Sequence, residues 1–364
     1  MKLSEIIPLL EEMAPPAYAE DFDNVGLLVG DRNTEISGIL VCHDALESVI
    51  VEAVLKNCNL VVCFHPIIFL GLKSLTGKNY VERAVIKAVR HDIAIYAVHT
   101  SLDNHREGVN KILAGALELR KPEILVPKEN FIRKLVTFAP VADAEKVRDA
   151  LFDAGAGRIG NYEDCSFTSM GTGTFTGNEY SDPVVGERFE FIENPEMKIE
   201  VTFEKHLQAK ILKALFDSHS YEEVAYEIYA LENRHQNIGL GMVGELETAL
   251  SGRDFLQMVS DKMQCGGIRH SEIPEKNIRK VAVLGGSGSF AIPHAIRAGA
   301  DALVTADLKY HDYFQAEGKL LLCDIGHYES ERYTKNYMVD FLRKKITNFA
   351  IILSDTHTNP VKYF

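Results

Sequence analysis

The sequence predicts an α/β protein of two similar α/β lobes facing each other across a cleft, with an α+β domain inserted between them. Three observations predict it. Continuous apolar strands alternate with helical segments in the first third of the chain, the same alternation returns in the last third, and the middle departs from both. Strands that are apolar throughout, separated by helices of about 10–15 residues, belong to parallel or mixed sheets covered on both faces. In such sheets a ligand sits beyond the carboxyl ends of the strands. At roughly 100–200 residues per domain, a chain of 364 residues holds two or three cores.

The opening MKLSEIIPLLEEM is an amphipathic helix that lacks the basic region and apolar core of a signal peptide. GILVCHD (38–44), NLVVCFHP and IAIYAVHT are buried strands; ALESVIVEAVLKN, NYVERAVIKAVRHD and REGVNKILAGALEL have helical spacing. Near Asn130 the pattern changes. FIRKLVTFAPVADAEKVRDALFDAG reads as strand then helix, CSFTSMGTGTFTG and GERFEFIEN as hairpin-like pieces, and MKIEVTFEK as a further strand. HLQAKILKALFDSHS and EEVAYEIYALE supply a helix and a closing strand, giving β-α-β-β-α-β, the ferredoxin-like order. The last third runs RKVAVLGGSGS, FAIPHAIRAGA, DALVTAD, KLLLCDIG, one long helix HYESERYTKNYMVDFLRKKI, and a closing strand FAIILSD. The expected boundaries are 1–129, 130–233 and 234–364.

Composition excludes several classes. Apolar residues at 46% and charged residues at 25% are globular values, so a disordered or fibrous chain is ruled out. The net charge of −13 repels a polyanion, so nucleic acid is not an expected partner. Six cysteines without a C-x-x-C pair, several inside apolar strands, read as reduced, packed thiols. No apolar run approaches 18 residues, so no membrane span is expected and the expected compartment is the cytoplasm.

The residues that follow the strands are the candidates for chemistry. In GHYESER (326–332), His327 and Glu331 lie four apart on one helix face, a spacing that suits a divalent ion and also occurs on surface helices without one. His65 ends a buried strand and is fixed by Pro66; Asp103 follows IAIYAVHT. Singly, His65 also reads as a buried histidine bonded to backbone, and Asp103 as a helix cap. Together the four form an N2O2 donor set, and bridging by Asp103 and Glu331 would allow two ions about 3.5–4 Å apart. GGSGS (285–289) lacks the Walker and G-x-G-x-x-G patterns and reads as a tight turn rather than a phosphate cradle. Lys309, His311 and Asp312 follow DALVTAD as substrate contacts or a general base, and Asp23 and Asn24 open a loop that either faces the cleft or caps a turn.

The runs DNVGLLVG (23–30), HPIIF (65–69), YAVHTSLDN (96–104), GVN (108–110), VAVLGGSGS (281–289), TADLKYHD (305–312), DIGHYESE (324–331) and TNPVKYF (358–364) resemble the NIF-three-like family of dinuclear-metal-centre proteins, whose bacterial members are labelled GTP cyclohydrolase 1 type 2 homologs. The inserted module resembles the PII-like or CutA-like domain of the longer members. The resemblance implies a toroidal homohexamer with metal sites lining its interior, and one or two divalent ions (Zn, Fe, Mn or similar) held by His65, Asp103, His327 and Glu331. One departure stands out: where the family reads His-His-Pro, this chain reads Phe64-His65-Pro66, so one imidazole is missing. His99 is the candidate replacement or an acid–base group, and His311 is a second catalytic candidate. The expected function is metal-dependent hydrolysis of a phosphoester, nucleotide or cyclic amide bond. The alternative is a non-catalytic metal-binding regulatory or scaffold oligomer whose inserted module senses a small ligand.

Overall fold

The computed structural model describes residues 1–364 as a mixed α/β chain with three sheets. Two compact units divide it: Met1–Val126 together with Ile238–Phe364, and Pro127–Asn237.

The larger unit holds two of the sheets. The five-stranded one runs in the order Gly26–Val29, Ala94–Ala97, Leu60–His65, Ile39–Asp44, Ile351–Leu353, parallel except at its first strand. Its strands are apolar on both faces because helices cover both. Leu3–Met13 and Thr334–Lys345 bury Leu3, Ile6, Leu10, Met338 and Leu342 against Ile39, Val41, Leu60 and Val62. On the other face Glu47–Leu55 and Tyr80–Arg90 bury Val49, Ile50, Ala84 and Ala88 against Leu40, Cys42, Val61 and Cys63. At about 1.5–3 kcal/mol for each large aliphatic side chain removed from water, these two layers are the main stabilising term.

The six-stranded sheet runs Arg269–His270, Leu321–Asp324, Ala302–Ala306, Ile278–Ser287, Gly239–Leu250, Arg120–Pro127, with a parallel core of Leu321–Asp324, Ala302–Ala306 and Ile278–Ser287. Val109–Ala116 and Gly252–Met263 pack on one face through Leu113, Leu117, Phe255 and Val259. Ile292–Arg297 packs on the other through Ile292 and Ala295.

Strand membership departs from the sequence order. Ile351–Leu353, expected to close the C-terminal lobe, pairs parallel with Ile39–Val41 in the first sheet. Arg120–Pro127, from the first third, joins the second. The long helix expected from His327 is two, His327–Glu331 and Thr334–Lys345. Arg332 and Tyr333 at the break donate to the carbonyls of Met263 and Lys262, at the end of another helix.

The smaller unit strings together Ile132–Pro140, Ala144–Asp153, Ser166–Thr176, Phe191–Glu204, Gln208–Ser218 and Tyr226–Ala230. Its antiparallel sheet has the order Ser166–Thr176, Phe191–Glu204, Ile132–Pro140, Tyr226–Ala230. Both helices lie on one face, where Val147, Leu151, Ile211 and Leu215 meet Leu135, Ile199 and Val201. The end of GERFEFIEN and all of MKIEVTFEK up to Glu204, expected as separate pieces, form one strand of 14 residues, Phe191–Glu204. No helix of the chain is long and apolar enough to cross a membrane.

Candidate metal centre

The cluster of titratable side chains in the larger unit is assembled from the carboxyl ends of parallel strands in both its sheets. Ile39–Asp44 ends in His43 and Asp44, and Leu60–His65 in His65. Ala94–Ala97 leads into the short helix His99–Asp103, Ala302–Ala306 into Asp307, and Leu321–Asp324 into the helix His327–Glu331. Two of these exits use left-handed backbone at side-chain-bearing residues, His99 (φ 26°) and Asp307 (φ 57°). Such conformations cost on the order of 1–3 kcal/mol each and persist where surrounding contacts enforce them.

Glu331 is the hub. Its Oε2 lies 3.2 Å from Nε2 of His65 and 3.3 Å from Nε2 of both His327 and His43. Nε2 of His65 and Nε2 of His327 are 3.4 Å apart. None of these approaches satisfies Oε2 as a hydrogen bond, and the atom is inaccessible to water. Separations of 3.2–3.4 Å match the edge of about 3.3 Å between ligands that each stand about 2.0–2.1 Å from a tetrahedral ion.

The far ring nitrogens are held by carboxylates. Nδ1 of His65 is 2.8 Å from Asp44 Oδ1, and Nδ1 of His327 is 2.7 Å from Asp307 Oδ2. Asp44 accepts in turn from Thr358 Oγ1, and Asp307 from Ser287 Oγ. The network assigns the proton to Nδ1 and turns the Nε2 lone pair toward the centre, the support that metal-ligating histidines require. His99 has the same device: its Nδ1 is 2.7 Å from Asp23 Oδ1.

Glycines make the room for Glu331. A Cβ on Gly286 (φ +70°) would stand 2.5 Å from Glu331 Oε1, and one on Gly285 would stand 2.7 Å from Val109 Cγ1. The amides of Gly285 and Gly286 donate to Asn110 Oδ1 and Ser330 Oγ. The start of GGSGS therefore forms the floor beneath a carboxylate, with its first two amides already occupied.

The electrostatics are those of an acidic cluster that favours positive charge, enclosed at Glu331 and His43 and open to solvent at His327 and Asp307. Burial pulls the His65 and His327 imidazoles down, but the Glu331 carboxylate and the bonds to Asp44 and Asp307 outweigh it, raising them to about 9 and about 11. Burial pushes the Glu331 carboxyl up, and the charges of His327 and His65 reverse this to leave it well below the usual range. Asp103 moves the other way: burial and then the Glu331 charge lift its carboxyl well above the usual value. Burial lowers His43.

Three of the four expected ligands, His65, His327 and Glu331, bring donor atoms within 4.8 Å of one another. Asp103 stands outside that group, although its Oδ1 is inaccessible and has no hydrogen-bond partner. The His99 ring is 5.3 Å from that of His65, centroid to centroid, beside the cluster. His311 is exposed on the 3-10 helix Tyr310–Ala316, its ring against Tyr310 and Phe314, and the cluster is assembled without it. Lys309 and Asp312 cap that same helix. The sequence marks His43 and Asp44 as strand-end residues for close reading and holds Asp307 within TADLKYHD, but it assigns none of the three a specific role.

The family model described as Duf34/NIF3 (NGG1p interacting factor 3) matches residues 1–360. A Bacillus subtilis protein named GTP cyclohydrolase 1 type 2 homolog is 38% identical over 368 aligned residues, covering 99% of this chain and 98% of its own. Among solved structures, a Bacillus cereus protein related to NIF3 superposes with a TM-score of 0.83 at 36% identity, covering 100% of this chain and 99% of its own. The Staphylococcus aureus protein SA1388 gives a TM-score of 0.80 at 28% identity with the same coverage.

Proposed function

We propose, from the premise that this chain belongs to the Duf34/NIF3 family, that the cluster around Glu331 is a divalent metal centre and that the protein is a metal-dependent hydrolase. One observation carries the reading. Two imidazole Nε2 atoms and a carboxylate oxygen from opposite ends of the chain converge at 3.2–3.4 Å, with the far side of each ring fixed by its own carboxylate. His65, His327 and Glu331 would hold one ion, and the unpaired, buried Oδ1 of Asp103 supplies a fourth donor or a bridge to a second. Zn, Fe and Mn suit imidazole with carboxylate. When bound, such an ion supplies Lewis acidity and an activated water for attack on a phosphoester, nucleotide or cyclic amide. His99, whose Nδ1 is held by Asp23, would move a proton at Nε2.

The same reading takes the two sheets of the larger unit as similar lobes and the smaller unit as a ferredoxin-like insertion, whose strand order supports it. It includes the homohexamer implied by the family; light scattering at six times the 40.6 kDa chain mass supports that assembly, and a monomer refutes it.

The test is metal content per chain together with hydrolysis of a phosphoester and nucleotide panel by the wild type and a His327→Ala, Glu331→Ala double variant. Loss of both metal and turnover supports the reading. Turnover untouched by the double change overturns it.

One observation favours a second reading, a ligand-sensing assembly without catalysis. The smaller unit contains a cavity of about 600 Å³ lined by Phe138, Met170, Phe175 and Tyr221, with the Tyr221 hydroxyl donating to the buried Glu196 at 2.8 Å. That reading predicts no turnover with any metal.

A further inference from the structure

The side chain that the metal reading leaves unexplained is His43. It is 3% exposed, and neither of its ring nitrogens has a hydrogen-bond partner. A buried imidazole with both nitrogens unpaired is costly, because each polar atom gave up water for nothing in return. Its position sharpens the question. Pairing of Val41 with Val62 and of Asp44 with His65 sets His43 beside Phe64 in the parallel register, on the sheet face that carries Ile39 and Val41. An apolar side chain would continue that row, as Phe64 does on the next strand, where its ring stacks on His43 at 5.4 Å.

The ring lies against the cluster. Its Nε2 is 3.3 Å from Glu331 Oε2, the distance at which His327 Nε2 stands, yet neither His43 Nε2 nor Glu331 Oε2 is hydrogen-bonded. His43 also shares a group of potential ligands with Asp44 and His65 whose donor atoms all lie within 4.8 Å. Among the buried atoms without a hydrogen-bond partner are Nδ1 and Nε2 of His43, Oε2 of Glu331 and Oδ1 of Asp103.

We propose that His43 is itself a metal ligand through Nε2, making the donor set three imidazoles (His43, His65, His327) with the carboxylates of Glu331 and Asp103. The inference rests on the metal-centre reading above and deepens it. It names the class of cofactor: a nitrogen-rich set selects a borderline transition ion such as Zn(II) or Fe(II) over Mg(II) or Ca(II). It also returns to the centre, from the neighbouring strand, an imidazole that Phe64 cannot provide.

The test uses the full chain and Zn(II) alone as the probe. Zinc affinity is measured by competition with a chromogenic chelator for the wild type, His43→Leu and His327→Ala, with the metal-free melting temperature of each as the folding control. The expected result is binding by the wild type, its loss in His327→Ala, and a weakening in His43→Leu beyond about 100-fold, more than the roughly 10–100-fold that follows loss of an outer partner of a ligand. The metal-free melting temperature of His43→Leu should be unchanged or higher, since an unpaired polar ring is replaced by an apolar one. A His43→Leu chain that binds zinc as the wild type does, while His327→Ala does not, overturns the role of His43 and leaves the centre standing. A wild type that binds no zinc overturns both. Should His43→Leu fail to fold, zinc-loaded wild-type crystals decide. An anomalous peak about 2.0–2.1 Å from His43 Nε2 supports the assignment, and a peak beyond about 3 Å refutes it.

Discussion

Nε2 of His65 and Nε2 of His327 face each other at 3.4 Å, although 262 residues lie between them in the chain. Two protonated rings would repel at that distance, and two neutral rings would point lone pairs at each other. In the centre proposed above, an ion that replaces the Nε2 protons would accept both lone pairs and remove either conflict. In the metal-free chain the Glu331 charge and the outer carboxylates favour the protonated rings against burial, holding them at about 9 and about 11. Metal uptake at pH 7 should therefore release more than one proton per ion, and apparent affinity should rise with pH from 7 toward 9. Calorimetry in two buffers of different ionisation enthalpy checks this; equal heats would contradict it.

The carboxylates behind the rings should matter almost as much as the ligands. Asp44→Asn and Asp307→Asn keep their shape but weaken the hold on the Nδ1 proton of His65 and His327. Each is expected to weaken metal binding roughly 10–100-fold while leaving the melting temperature of the metal-free chain within a few degrees.

Gly286→Ala addresses the floor of the site. The new methyl group would lie 2.5 Å from Glu331 Oε1 at a φ of +70°. A cost of about 1–3 kcal/mol in urea unfolding is expected, together with reduced metal content, because Glu331 must move to admit the methyl group. A Gly286→Ala chain with full metal content would show that Glu331 is not fixed from below.

A pH-dependent contribution sits away from the metal centre. Glu52 accepts from Lys56 Nζ, Ser354 Oγ, the Asp355 amide and Thr356 Oγ1. Burial raises its carboxyl, and these bonds outweigh that and bring it to about 2. A depressed folded-state value stabilises the protein above the unfolded value of 4.5 and is lost as pH falls toward 2. Glu52→Gln should thus cost about 1–2 kcal/mol at pH 7, less than the full shift because solvent screens the partly exposed Lys56 pair, and nearly nothing at pH 2, read from urea midpoints at both pH values.

His65, His327 and Glu331 were legible in the sequence because a strand end and a four-residue helical spacing each place a side chain by local geometry. Which histidine each of Asp44, Asp307 and Asp23 would hold was not, since these carboxylates have no fixed spacing to the rings they orient. His43 stood out as a strand-end residue but without a partner, and the approach of Glu331 from the other sheet is what the sequence does not show. The split between His327–Glu331 and Thr334–Lys345 has no Gly or Pro to mark it; tertiary bonds from Arg332 and Tyr333 hold it open. The edge position of Ile351–Leu353 was hidden for a related reason, because an apolar strand does not state which sheet it will join.

That edge strand bears on how the protein is made. Ile351–Leu353 seals the rim of a sheet whose other members emerged from the ribosome some 250 or more residues earlier, and Thr358, a few residues further on, steadies the carboxylate behind His65. Until Ile351–Leu353 has been made, the first sheet presents an unpaired apolar border at Ile39–Val41, the kind of surface on which nascent chains stick to one another. Premature termination near residue 350 should leave a chaperone client, its first sheet unsealed and Asp44 without the Thr358 hydroxyl.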